Sequence, residues 1–142
     1  MICKIFLEKG ALMPRKNNKS DNCYDVFSNN DYQVNNLSTC TIGTGIHIDP
    51  EKGWGMLIRP RSGKSSQGVL LGGGELDNGH RGEVGVIIHN MTGSSMFINK
   101  GEKIAQMRPV RIEDIDFIQV DELSKLSKSD RGSKGFGASG DY

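Results

Sequence analysis

The stretch TIGTGIHIDP, residues 41–50, sets Ile42, Thr44, Ile46 and Ile48 in alternation with glycines and polar residues. Spacing of this kind puts every second side chain on one face of an extended chain, so it reads as a half-buried strand. The pattern continues outward in both directions. Cys3, Ile5 and Leu7 alternate with Lys4, Phe6 and Glu8, and further candidate strands occupy 54–59, 67–71, 82–89, 95–98, 103–111 and 116–121. Clusters of Gly, Asn, Asp and Pro separate them at short intervals, the punctuation of an all-β sandwich or barrel. Only Glu122 to Lys128 and a turn after Gly63 are open to a helical reading, and both are too short for a packed amphipathic helix. The sheets are expected to close on themselves or against neighbouring subunits.

A chain of 142 residues is about one domain by length and buries roughly two-thirds of its unfolded surface. Its net charge of +1, with 25% charged residues, gives no general attraction for a polyanion. Any phosphate must be held by a local site, and neither a nucleic acid nor a membrane is expected as a partner. No apolar run is long enough to span a bilayer, and the opening MICKIFLEKG is interrupted by charge, so the expected location is cytoplasmic. Cys3, Cys23 and Cys40 are odd in number and lack CxxC spacing, so they read as small semi-buried thiols without a disulfide or zinc. Residues 1–128 are expected to form the β domain. The segment 129–142 has one large apolar side chain, Phe136, before Tyr142 and is rich in glycine. It cannot repay its ordering entropy by burial and is expected to be flexible until a ligand pins it.

Five short islands rich in glycine and charge lie in order among these elements. They are NCYDVFS at 22–28, PRSGKSSQGV at 60–69, GGELDNGHRGEVGVIIHN at 73–90, KGEKIAQM at 100–107 and RGSKGFGASG at 131–140. Each supplies backbone N–H groups, small hydroxyls, cations or a carboxylate, the parts needed to hold a phosphate chain beside a general base. Taken singly they have ordinary meanings: ELDNGH has the composition of a hairpin turn, and PRSGKSSQG that of a solvent turn. Gly135, Gly137 and Gly140 fit GxGxxG, but a dinucleotide fingerprint needs a following helix for which no room is left.

Taken together, in this order, the five islands resemble the five motifs of the trimeric dUTPase family, which hydrolyses dUTP to dUMP and pyrophosphate. The resemblance implies a jelly-roll-like subunit in a homotrimer, each active site assembled from three chains, with Mg²⁺ as cofactor. It also implies a role in limiting uracil incorporation into DNA and supplying dUMP for dTMP synthesis.

The third island is similar to the family's GVIDxDYRGE, with Gly74, Leu76, Asp77, Arg81, Gly82 and Glu83 holding the pattern. Asp77 is then the general base that activates water, and the hairpin carrying Gly74 and Leu76 reads the edge of uracil. A 5-methyl group would collide there, and cytosine's amino group would present a donor where a carbonyl is expected. His80 takes the place of the family's Tyr, which lines the deoxyribose pocket, and Gly79 replaces an Asp. Arg81 and Glu83 read as structural ion-pair or interface residues, and Asn90 closes the following strand as the family's Asn does.

The second island is similar to PRSGLA, supported upstream by TGIHIDPEKGWG at 44–55. This assigns Ser62 and Gly63 to phosphate and Arg61 to its support or contact. Lys64 stands where the family has an apolar residue, either adding a cation near the triphosphate or pointing to solvent. The first and fourth islands are similar to SAGYDL and GDRIAQL. They assign Asp25 to orienting water on Mg²⁺ and Gln106 to the α-phosphate region, with Asp21, Asn22 and Cys23 replacing Ser, Ala and Gly. The fifth is similar to RGxxGFGSTG, giving Arg131 the γ-phosphate, Phe136 the base, and Gly137 and Ser139 the phosphates, with Ala138 in place of a hydroxyl.

Two rivals share the fold. In dCTP deaminase, whose DPG the DNG at 77–79 resembles, the general base aligns with Ile87, which cannot shuttle protons. The other rival is a non-catalytic, nucleotide-binding regulatory protein, against which Asp77 argues.

Overall fold

Residues 1–134 are described by a computed structural model and form eleven paired strands, eight of them on the alternating segments. In chain order these are β1 Cys3–Leu7, β2 Tyr24–Phe27, β3 Tyr32–Val34, β4 Thr39–Gly43, β5 Ile46–Pro50 and β6 Trp54–Arg59, then β7 Val69–Gly72, β8 Glu75–Leu76, β9 Gly85–Asn90, β10 Met96–Ile98 and β11 Lys103–Arg111. A single helical turn, α1, spans Ser62–Ser65. All described pairings between strands are antiparallel, in sheets ordered β2-β11-β6-β8, β4-β9-β7, β1-β5 and β3-β10. The inward positions of every second residue merge into one core, in which Val26, Ile42, Ile46, Val84 and Ala105 are completely buried. The result is the expected all-β, jelly-roll-like subunit.

Ile42 to Ile48 does not form one strand. β4 ends at Gly43 and β5 begins at Ile46, because Gly45 adopts φ +65°, a left-handed conformation that turns the chain out of one sheet and into another. A Cβ at Gly45 would lie 2.5 Å from the Asn29 side chain, so the corner also needs the missing atom. Buried Thr44 fixes this corner: its hydroxyl donates to the Val84 carbonyl at 2.6 Å and accepts from the Ile46 N–H at 3.2 Å.

Three further expectations are corrected. Residues 116–121 form no strand and lie exposed, since no strand of the same chain offers them hydrogen bonds. The helical reading of 122–128 reduces to a 3₁₀ turn at Leu123–Lys125. β2, β3 and β8 were not expected: in β2 Asp25, Val26 and Phe27 are buried in succession, leaving no alternation to read, and β3 and β8 are only three and two residues long.

Candidate active site

Asp25 is 8% exposed at the centre of a polar cleft. β2 carries it between two cations: Lys103 Nζ approaches Oδ2 at 2.8 Å, and Arg61 Nε lies 3.7 Å from Oδ1. With Asp21 on the same wall, two carboxylates face two cations, so the cleft is close to charge-balanced, and Arg61 and Lys103 are the groups in it that can meet an anionic ligand. Arg61 is aimed by its Nη1, which donates to the Lys103 carbonyl at 3.1 Å, while its buried Nε makes no hydrogen bond. Gln106, Cys23, Asn22, Asp21, Ser20 and Asn17 complete the wall of this cleft, which encloses about 550 Å³.

The joint presence of Lys103 and Gln106 on this wall rests on a β-bulge. Side chains three apart on a regular strand point to opposite faces. Here the register of β11 against β2 slips between Lys103 and Ala105, and Ile104 and Ala105 are both buried. The extra residue brings 103 and 106 to the same side, as bulges beside functional sites do. Sequence reasoning singled out Gln106 and Asp25 but not Lys103. Its position in GEKIAQM was the available signal, and the bulge that aims it was not readable.

Ser62 and Gly63 open α1, directly after Arg61, and both are exposed. Lys64 pairs with Glu102, so neither expected orientation of its ammonium, toward a phosphate or toward solvent, is the one observed. Burial alone would push the Glu102 carboxyl up, but the Lys64 ammonium, the Asn99 N–H and the nearby Arg61 charge together hold it below the usual carboxylate range.

A second cleft of about 310 Å³ lies at the glycine-rich hairpin, walled by Gly72, Gly73, Gly74, Leu76, His80 and Ile87 among others. Gly74 has φ +113°, and a Cβ there would meet the Ile58 carbonyl oxygen at 2.7 Å, so backbone is all this part of the wall can offer. Asp77 follows β8 on the exposed turn; its main-chain carbonyl accepts from the His80 N–H at 3.0 Å. Its carboxylate accepts no hydrogen bond among the described residues. Asn78 anchors the turn, its Nδ2 donating to the carbonyls of Trp54 at 2.8 Å, Glu51 at 3.0 Å and Pro50 at 3.1 Å. Arg81 adds an ion pair with Asp49 and bonds to the Asn78 and His80 carbonyls. Glu83 Oε1 accepts from the Gly45 N–H at 2.7 Å, which commits that carboxylate to the β4–β5 corner. Ile87 presents an aliphatic surface to the cleft.

The two clefts share no wall residue: Asp25, Arg61 and Gln106 belong to one, and Gly74, Leu76 and His80 to the other. Arg131 lies on the exposed segment after the sheets, its Nε donating to the Lys134 carbonyl at 3.0 Å. Phe136, Gly137 and Ser139 lie outside the described residues.

A β-sandwich with a cation-walled cleft and a backbone-walled cleft has the layout of an enzyme that handles nucleoside phosphates. The chain belongs to the dUTPase family, whose model matches residues 9–140. It is 37% identical over 137 residues to the deoxyuridine 5'-triphosphate nucleotidohydrolase of Clostridium tetani, covering 94% of this chain and 92% of that protein. It is 36% identical over 117 residues to the enzyme of the same description from Cowpox virus, covering 82% and 78%. The fold overlays on the Staphylococcus bacteriophage 80alpha dUTPase bound to dUpNHpp with a TM-score of 0.88 at 30% identity, spanning 98% of each chain. That phage protein is described as controlling transfer of virulence genes by a G protein-like mechanism. A mutant dUTPase of phage phi11 of S. aureus, described with a structural Mg(II) ion, overlays with a TM-score of 0.78 at 26% identity, covering 87% of this chain and 99% of that one.

Proposed function

We propose that this protein is a dUTP diphosphatase that cleaves dUTP to dUMP and pyrophosphate. The observation that carries the reading is the division of labour between the clefts. One offers cations and a buried carboxylate for a triphosphate, and the other offers glycine backbone for a flat base. Because they share no wall residue in one chain, a nucleotide bridging them is best served by the hairpin of one copy and the polar cleft of another. This supports a homotrimer, with the fifth island of a third copy supplying Arg131, Phe136, Gly137 and Ser139. Large apolar side chains left exposed, among them Ile115 at 70%, Phe117 at 91% and Ile118 at 86%, favour association of copies. The three unpaired cysteines suit a reducing compartment, the cytoplasm or a host's cytoplasm.

In the proposed reaction Asp77 accepts a proton from water as its oxygen bonds the α-phosphorus. The bond from that phosphorus to the bridging oxygen breaks, and pyrophosphate leaves. Arg61 and Lys103 offset the charge of the phosphates, Gln106 orients the α-phosphate, Ser62 and Gly63 hold the outer phosphates by hydroxyl and amide, and Gly74, Leu76 and His80 enclose the nucleoside. Positioning and charge neutralisation carry most of such a reaction.

A hard cation in such a site would be bound mainly by substrate oxygens and water. Asp25 is the residue that would hold its water, and Mg²⁺ bound there would neutralise phosphate charge.

The test is pyrophosphate release from dUTP, dCTP, dTTP and UTP by the wild type and by Asp77→Asn. The variant should stay folded and slow dUTP cleavage by roughly 10² to 10⁴, the share of a positioned general base. Retention of more than about a tenth of the rate would remove Asp77 from that role.

A further inference from the structure

Lys64 and Glu102 are 38 residues apart in sequence, yet their side chains meet as an ion pair, 19% and 28% exposed. Both oxygens of Glu102 are in use: Oε1 faces Lys64, and Oε2 accepts from the Asn99 N–H at 3.1 Å, closing the turn into β11. The next residue extends the connection. The Lys103 carbonyl receives Arg61 Nη1 at 3.1 Å, and its ammonium reaches Asp25 at 2.8 Å. α1, by contrast, has little of its own to hold it. It is one turn long, buries no residue and has no side-chain cap, and a lone helical turn does not persist in water.

We propose that the Lys64–Glu102 pair is a positioning strap that fixes α1 against the start of β11, so that Ser62 and Gly63 face the triphosphate. The inference rests on the reading of that region as the phosphate site. Lys64 acts through Ser62 and Gly63 and does not touch the nucleotide. Its ammonium is taken up by Glu102, and Lys64 is absent from the wall shared by Asp25, Arg61, Lys103 and Gln106. Partial burial lets the pair resist the salt screening that makes exposed pairs ineffective.

A double-mutant cycle separates a strap from a direct contact. Lys64→Met, Glu102→Gln and the double variant are compared for dissociation constant toward a non-hydrolysable imido analogue of dUTP, for kcat and KM on dUTP, and for thermal midpoint. Each single change should weaken analogue binding by about three- to tenfold, within the usual range for coupled neighbours, with kcat much less affected. The double variant should be no worse than the worse single, and Lys64→Arg should recover binding to within about twofold of wild type. An equal cost of Lys64→Met with and without Glu102→Gln would show direct contact with the nucleotide and overturn the strap. Unchanged binding in all variants would overturn it too. In either case a wild type that cleaves dUTP leaves the parent reading standing. A wild type that neither binds the analogue nor cleaves dUTP overturns both.

Discussion

His80 closes one side of the hairpin cleft, with its main-chain N–H donating to the Asp77 carbonyl and its Nε2 3.4 Å from the Glu83 carbonyl. The ring lies over Gly82, where an added Cβ would come within 2.9 Å of Cε1, so the ring's present position needs a glycine there. An imidazole fills less of a sugar pocket than the phenol that its family carries there. His80→Tyr should therefore raise the dUTP over UTP ratio of kcat/KM, by up to the roughly 1–3 kcal/mol that steric discrimination in a pocket supplies. Equal ratios for the two proteins would show that the ring does not face the 2′ position.

The elements around that hairpin are joined by His47 on β5. Its Nδ1 lies 2.9 Å from the Arg81 carbonyl and its Nε2 3.0 Å from Glu8 Oε1, just beyond β1. A neutral ring donates at one nitrogen only, whereas an imidazolium donates at both. The Glu8 carboxylate first, then the Arg81 carbonyl, raise the His47 pKa above its ordinary value against some opposition from burial, with smaller help from the Glu8 and Glu83 charges. Because the folded value is raised, the stabilisation is complete below the unfolded value near 6.5 and is lost as pH climbs through the folded one. Wild type should accordingly melt above His47→Gln at about pH 6, with the gap narrowing toward about pH 8. A gap that stays constant across thermal melts in that range would deny the linkage.

For the whole molecule, the β domain and the segment after it are proposed to do separate work. The buried core residues fall within 26–107, with Cys3, Ile5 and Leu7 of β1 packed against them, while the described part of the last segment, after Ser127, is exposed throughout. Deleting 130–142 should leave the oligomer mass unchanged by light scattering, because that stretch has almost no apolar surface to bury. Turnover should fall by about tenfold or more, on the scale of losing one aromatic stack on a base together with a phosphate cation. Full activity, or a change of mass, would contradict this division.

Eight of the strands, the glycine turns and the five chemical islands were legible in local pattern, which needs only near neighbours in the chain. That Gly74 and His80 share one hairpin cleft was legible for that reason, since proximity in sequence is proximity in space there. What required the tertiary structure was any relation between distant segments. The bulge that turns Lys103 and Gln106 to one side exists only as a slip between β11 and β2. The corner at Gly45 depends on Asn29 and on Glu83, 38 residues away. The capture of Lys64 by Glu102 and the gathering of Arg61, Asp25 and Lys103 join α1, β2 and β11. Composition and periodicity report which way a side chain faces, and burial beside a particular partner arises only when the sheets close.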